Sequence, residues 1–209
     1  MAGWQHIELA GADLELDRAW LSLAQADALF AALFAAIEWE THRIRLFGRE
    51  VDSPRLSSWI GDPDASYTYS GTRFEPQPWP DALVPVRTRL RSEVGVDFNS
   101  VLANLYRDGR DAMGWHRDAE PELGEAPVIA SLSLGSTRRF VLKHPRDRTR
   151  KLALSLEPGS LLLMRGETQQ HYRHALPRTT RPVGARINLT FRRIQTPRAP
   201  SPPPLAGEG

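Results

Sequence analysis

Seven residues near the end of the chain, Arg186-Ile187-Asn188-Leu189-Thr190-Phe191-Arg192, alternate without a break between polar and apolar. That is the pattern of a strand with two unlike faces. Ile187, Leu189 and Phe191 must enter a core, so Arg186, Asn188, Thr190 and Arg192 share the other face. A face carrying two arginines and two neutral hydrogen-bonding groups lines something that wants positive charge, and an acid answers best. At about 3.3 Å per residue the two arginine Cα atoms lie roughly 20 Å apart. Two long side chains leaning inward from those points leave a gap suited to a small dicarboxylate. Guanidinium forks match carboxylates bidentately, which lysine cannot do.

Upstream, His116-Arg117-Asp118 places an imidazole and a carboxylate at i and i+2, side by side if the segment is extended. A third ligand is available at His174, 56 residues beyond Asp118. Two His and one carboxylate make the facial triad of non-heme Fe(II) oxygenases, which leaves open positions on the metal. Between these points the chain reads with period two. Val128, Ala130, Leu132 and Leu134 alternate with Ile129, Ser131 and Ser133; Leu152, Leu154 and Leu156 alternate with Ala153 and Ser155; and Glu157-Pro158-Gly159 turns into Ser160-Leu161-Leu162-Leu163-Met164. Short strands at such intervals suggest a sandwich or jelly roll.

Four blocks together carry a resemblance: Asn104-Leu105-Tyr106, His116-Arg117-Asp118, Tyr172-Arg173-His174 before Ala175-Leu176-Pro177, and Arg186 to Arg192. In this order and spacing they resemble the signature of the AlkB family, Fe(II)- and 2-oxoglutarate-dependent dioxygenases that reverse alkylation damage on nucleic-acid bases. The resemblance implies a mainly β core within an α+β fold, a double-stranded β-helix with N-terminal helices packed against it. It also implies metal ligands His116, Asp118 and His174, and Fe(II), 2-oxoglutarate and O2 as the reacting set. His174 is preferred to His171, three residues earlier, because His174 precedes the matching Ala-Leu-Pro. Arg186 and Arg192, with Asn104, Tyr106 and Asn188, are then the expected cosubstrate residues. The implied chemistry is oxidative demethylation of bases of the 1-methyladenine and 3-methylcytosine type, with release of formaldehyde.

The residues expected to meet substrate are less constrained. Tyr67-Thr68-Tyr69 resembles the block that supplies an aromatic side chain to the lesion pocket, with Tyr69 first and Tyr67 second. Glu120 matches an acidic position that contacts the target base in some relatives, and a solvent-facing loop glutamate is the competing reading. Leu46-Phe47-Gly48 reads as an apolar hairpin tip among Arg43, Arg45 and Arg49, a place where relatives that repair duplex DNA insert a residue; Phe47 in the core is the competing reading. Arg138, Arg139, Lys143, Arg146, Arg148, Arg150 and Lys151 crowd around one acid, Asp147. Such a run is usually a solvated face, but near the metal blocks it can also neutralise phosphates, together with Arg43, Arg45, Arg49 and Arg55.

At the N-terminal end, Ser22 with Gln25 fits a capping box, and Ala26, Leu29, Phe30, Leu33, Phe34 and Ile37 fall on one helical face. A second helix is expected from Asp81 to Val94, with Leu83, Val86, Leu90 and Val94 inward and Gly95 as its stop. Residues 52–80 are rich in Pro, Gly, Ser and aromatics, which either stack bases or cover a core. The chain is thus expected to comprise helices and a substrate-recognition lid at 1–95, the dioxygenase core at 96–196, and a disordered Pro-rich tail at 197–209. Its net charge of +2 requires any nucleic-acid binding to come from local patches. With no cysteine there is no disulfide, thiolate nucleophile or Cys-bound metal. With no visible signal peptide and no apolar stretch able to span a membrane, the expectation is a cytoplasmic monomer that acts on nucleic acid, DNA before RNA. A 2-oxoglutarate oxygenase of proteins or small molecules, an inactive nucleic-acid-binding relative and a zinc hydrolase are the alternatives. The first two need no basic loop or no intact ligand set, and the last leaves Asn188 and both arginines unexplained.

Overall fold

The computed structural model describes residues 3–195 except 42, 47, 48, 66, 70 and 71, and the backbone alone at 44–46, 49–51, 67–69 and 72–74. In chain order it forms β1 (Gln5–His6), β2 (Asp13–Asp17), α1 (Leu23–Ala36), β3 (Arg43–Leu46), β4 (Arg49–Asp52), β5 (Leu56–Gly61), β6 (Tyr67–Tyr69) and β7 (Thr72–Phe74). A 3-10 turn at Asp81–Leu83 leads into α2 (Val84–Val94), followed by β8 (Ser100–Tyr106), β9 (Met113–His116), β10 (Ile129–Gly135), β11 (Arg138–Lys143) and β12 (Lys151–Leu156). The chain then makes β13 (Leu161–Arg165), α3 (Thr168–His171), β14 (Arg173–Leu176) and β15 (Arg186–Arg192).

Two antiparallel sheets face each other. The larger has the order β1-β2-β13-β10-β15-β8-β5 and the smaller β12-β11-β14-β9, while β3-β4 and β6-β7 are separate hairpins. The larger sheet is buried on both faces. One face packs with α1 and α2 in a core that includes Leu29, Leu33, Leu90, Leu132, Ile187, Leu189 and Phe191. The other meets the smaller sheet through Leu14, Leu16, Ile129, Phe140, Leu154 and Leu162. Every residue of β15 is buried as a result, and its polar face lies between the sheets.

The helix caps form as their residues dictate. Ser22 accepts from the Gln25 backbone while Gln25 reaches back to the Ser22 backbone, and Gly95 closes α2 at φ +74°, a conformation strained for any residue with a Cβ. The face of α1 is narrower than its pattern suggests. Ala26, Leu29 and Leu33 are buried, but Phe34 is 50% exposed and stacks on Phe30. The segment 1–95 is also more than helices and lid: β1, β2 and β5 hydrogen-bond into the larger sheet at both its edges. Gln5 and His6 gave no period-two signal long enough to read as a strand. Of the aromatics in residues 52–80, Trp59 of β5 is core, with its indole N–H donating to the Ala65 carbonyl, and Trp79 stacks on Phe191. The tail from 197 and the Phe47-Gly48 tip lie outside the described residues; β3 and β4 pair with Leu46 opposite Arg49.

Candidate active site

Register brings the three sequence blocks to one place. β14 pairs with β9 so that His174 is opposite His116, with a bulge immediately beyond, and Asp118 follows two residues after the end of β9. The ligand-capable atoms of His116, Asp118 and His174 lie within 4.8 Å of one another. The His174 Nε2 to Asp118 Oδ2 distance is 3.9 Å. His116 Nδ1 lies 2.8 Å from the Gly114 carbonyl. Since a carbonyl only accepts, Nδ1 carries the proton and Nε2 keeps its lone pair for the site.

The electrostatics suit a cation. Burial lowers the pKa of His174 to about 3, with the neighbouring His116 pushing the same way, and burial also lowers that of His116. Burial would raise the pKa of Asp118, but Arg192, His174 and His116 together hold it down to about 2. Arg192 Nη2 donates to Asp118 Oδ1 at 2.8 Å, while Asp118 Oδ2 is buried with no hydrogen-bond partner among the described residues. Two neutral imidazoles and an ionised carboxylate with an unspent oxygen are the protonation states a divalent metal requires, so the residues fit the group. The Gln169 side chain, from α3, accepts from the Asp118 backbone N–H at 3.0 Å and fixes the carboxylate's approach. Nothing in its sequence surroundings marked that residue. His171, by contrast, faces Glu167 at the N-cap of its helix and is not among the triad.

From this cluster a pocket runs between the sheets, lined by Asn104, Tyr106, Ser131, Asn188, Thr190 and Arg186 among others. Arg192 stands at the metal end and Arg186 at the far end. Arg186 is 1% exposed. It donates to Ser133 Oγ at 3.0 Å and Asn188 Oδ1 at 2.6 Å, and Tyr106 lies beneath its guanidinium. Among the described residues no carboxylate pairs with it, and its Nε has no partner. Burial, reinforced by Arg138, lowers its pKa to about 10, which leaves it charged at neutral pH. A buried, unneutralised guanidinium is costly unless an anion joins it, so this end of the pocket fits a carboxylate. Asn188 also accepts from Ser131 and donates to Thr190, so it orients the arginine as well as lining the pocket. Ser131 and Ser133 were visible only as the small polar half of an alternating strand.

Two arginines expected on phosphates are not available to them. Arg138 is 3% exposed and donates to the carbonyls of Asp108, Asp111 and Pro177; it ties loops together beneath the pocket. Arg55 is buried too, with Nε donating to Asn104 Oδ1 at 2.6 Å and Nη1 to Ser53 Oγ at 2.9 Å. Asn104 thereby turns its amide nitrogen away from Arg55. Sequence spacing shows that a residue is basic but not which side of a sheet it leaves from. Arg139, Arg146, Arg148, Arg150 and Lys151 are exposed and Lys143 half-buried, and Arg150 pairs with Asp147. Glu120 is half-buried at the start of the 3-10 turn Pro121–Leu123, with one carboxylate oxygen sealed from solvent and without a partner among the described residues. Tyr67 and Tyr69 lie on β6, described in backbone only, and Phe47 lies outside the described residues.

The 2OG-Fe(II) oxygenase superfamily matches residues 13–192. Similar proteins include the mouse DNA oxidative demethylase ALKBH2, 38% identical with 91% of this chain and 84% of the relative covered. The human protein of the same name is 37% identical over 91% and 77%. The alkB homolog 3 of cattle, an alpha-ketoglutarate-dependent dioxygenase, is 36% identical over 84% and 64%. Among solved structures, OsALKBH1 superposes with a TM-score of 0.59 at 18% identity, covering 91% of this chain and 99% of that one. That likeness supports the jelly-roll fold.

Proposed function

We propose a mechanism from the premise that this chain belongs to the AlkB family of Fe(II)- and 2-oxoglutarate-dependent oxygenases. It is a dioxygenase that oxidatively demethylates alkylated nucleic-acid bases. The observation that carries the reading is a pocket with a half-buried His116 and buried Asp118 and His174 clustered at one end and a buried arginine lacking any carboxylate partner among the described residues at the other.

In this reading His116, Asp118 and His174 hold the metal. Fe(II) bound there supplies the activation of O2 that couples decarboxylation of 2-oxoglutarate to succinate with hydroxylation of an N-methyl group, whose hydroxymethyl product loses formaldehyde. Arg186 holds the far carboxylate of the cosubstrate, and Asn188 and Ser133 fix the fork in place. Arg192 keeps Asp118 ionised and holds its Oδ1, which leaves Oδ2 for the metal. Asn104 and Tyr106 line the same channel and offer donors to carboxylate oxygens. Apolar Leu102, Phe140, Met164 and Leu176 complete the wall and limit water, which strengthens every charge interaction inside.

On the substrate side, DNA rather than RNA, bases of the 1-methyladenine and 3-methylcytosine type, and a monomeric enzyme are our finer readings. The names of the ALKBH2 relatives support the first. A lesion that blocks pairing is cheaper to extrude from a duplex. Tyr69, Tyr67 and Glu120 are assigned to the base, Phe47 to the gap an extruded base leaves, and the exposed part of the basic run to phosphates. The deciding experiment is anaerobic loading with Fe(II) and 2-oxoglutarate, admission of oxygen, and mass spectrometry of methylated oligonucleotides. Loss of the methyl group in step with succinate formation is expected. Succinate without a change in the base would point to a protein or small-molecule oxygenase, and no turnover at all to an inactive binding module.

A further inference from the structure

Among the described residues, the large apolar side chains most open to solvent are Leu23, Phe34, Val84 and Trp115. The first three belong to α1 and α2. Trp115 alone is next to the site, immediately before His116 on β9, an edge strand of the smaller sheet. It is 44% exposed. Because side chains alternate along a strand, it leaves from the face opposite His116. Its ring is not loose: Lys143 Nζ lies 4.0 Å from the ring centroid. Lys143 is opposite Arg173 in the β11–β14 register, and it opens the segment carrying exposed Arg146, Arg148, Arg150 and Lys151.

From this geometry we infer that Trp115, held by Lys143, is a stacking platform for an unpaired nucleobase flanking the one that enters the pocket. The inference rests on the nucleic-acid reading above and specifies how the strand lies across the protein. A nucleotide has a flat apolar face and an anionic phosphate, and the platform offers a flat aromatic surface with cations around it. An acidic peptide would satisfy the cations but has no use for the flat ring. A ring already fixed by a cation has lost its rotamer freedom in advance, so less ordering opposes stacking. Bases within a duplex are covered by their neighbours, so an unpaired strand is the substrate that can use the surface. Such stacking tolerates any base, because every base has a π face.

The test is a coupling measurement on the full chain loaded with Mn(II) and 2-oxoglutarate, reading binding of a fluorescein-labelled, methylated single strand by anisotropy. Trp115→Ala is expected to weaken binding about fivefold to a hundredfold, the range for removal of one base–aromatic stack, with the salt dependence unchanged. Trp115→Phe should retain most of the affinity. Replacing the flanking nucleotides one at a time by abasic sites should reveal a position at which wild type and Trp115→Ala bind alike. On a duplex with the same lesion the loss should be smaller. Trp115→Leu keeps apolar bulk without a stacking face, and should repeat the pattern if Trp115→Ala lowers the melting temperature. Unchanged affinity, a penalty identical at every abasic position, or an equal loss on duplex would each overturn the platform. Failure of the wild-type chain to bind any methylated strand would count against the demethylation reading itself.

Discussion

At the scale of single residues the site depends on which groups are charged and which are paired. His174→Ala removes a neutral, buried ligand and should abolish Mn(II) binding by calorimetry, together with turnover, whereas His171→Ala, whose ring faces Glu167 on the surface of α3, should leave both intact. The reverse result would sink the ligand assignment. Arg186→Lys keeps the charge but loses the fork and the bonds to Ser133 and Asn188. Breaking a buried, hydrogen-bonded charge pair costs on the order of 2 to 5 kcal/mol, so 2-oxoglutarate affinity should fall by about thirtyfold or more; an unchanged dissociation constant would remove Arg186 from the cosubstrate. Arg55 separates two readings of one residue. If it serves Asn104, Arg55→Ala leaves a buried amide oxygen unpaired, at about 1 to 3 kcal/mol of stability, raises the KM for 2-oxoglutarate and leaves the salt dependence of nucleic-acid binding as it was. If it serves phosphates, only the salt dependence moves.

At the scale of elements, packing between strands and helices depends on a few polar clamps. Asp62, just past β5, accepts both fork nitrogens of Arg87 on α2 at 2.7 Å and the indole N–H of Trp79 at 2.8 Å. Arg87 in turn lies over the Trp79 ring, which stacks on Phe191 of β15. Burial would raise the pKa of Asp62, but the bonds from Arg87 and Trp79 and the charge of Arg87 bring it below its ordinary 3.8. A carboxylate lowered in the folded state adds stability above its unfolded pKa and loses it as pH falls through the folded value. The melting temperature of Asp62→Asn should therefore lie below wild type at neutral pH, with the gap closing below about pH 4; a gap independent of pH would mean the clamp is not ionic. Elements of this kind mark the limit of what the sequence discloses. β10, β12, β13 and β15 were legible because period-two alternation is a local property, and the His116, Asp118, His174 and Arg186 assignments followed from it and from the family blocks. The clamp, Gln169 beneath Asp118 and the inward turn of Arg55 and Arg138 are set by contacts across many residues of chain, which no window of sequence contains. Phe34 failed for the same reason, since the face its helix buries, through Ala26, Leu29, Leu33 and Ile37, is narrower than its apolar stripe.

At the scale of the whole molecule, charge is distributed in a way the net figure of +2 conceals. The buried arginines, Arg55, Arg138, Arg186 and Arg192, face inward, so they contribute little to long-range attraction. What meets a polyanion is the outer part of the β11–β12 segment, where Arg146, Arg148 and Lys151 are exposed, while Arg150 is partly spent on Asp147 at 3.2 Å. Each phosphate neutralised by such a group releases condensed counterion, so the logarithm of the binding constant falls with the logarithm of salt by about 0.7 per contact on a single strand and about 0.9 on a duplex. If all three cations sit on phosphates, replacing Arg146, Arg148 and Lys151 together by Gln should flatten that slope by roughly 2 on a single strand and somewhat more on a duplex. The affinity loss should be largest at low salt. The same triple change should leave the melting temperature nearly unaltered, because exposed cations contribute little to folding, whereas Arg138→Gln should lower it by stranding three carbonyls and leave the slope alone. Binding measured across a salt series with methylated single and double strands separates the two. An unaltered slope in the triple variant would mean that the basic run is only a solvated face and that the strand reaches the pocket from another side.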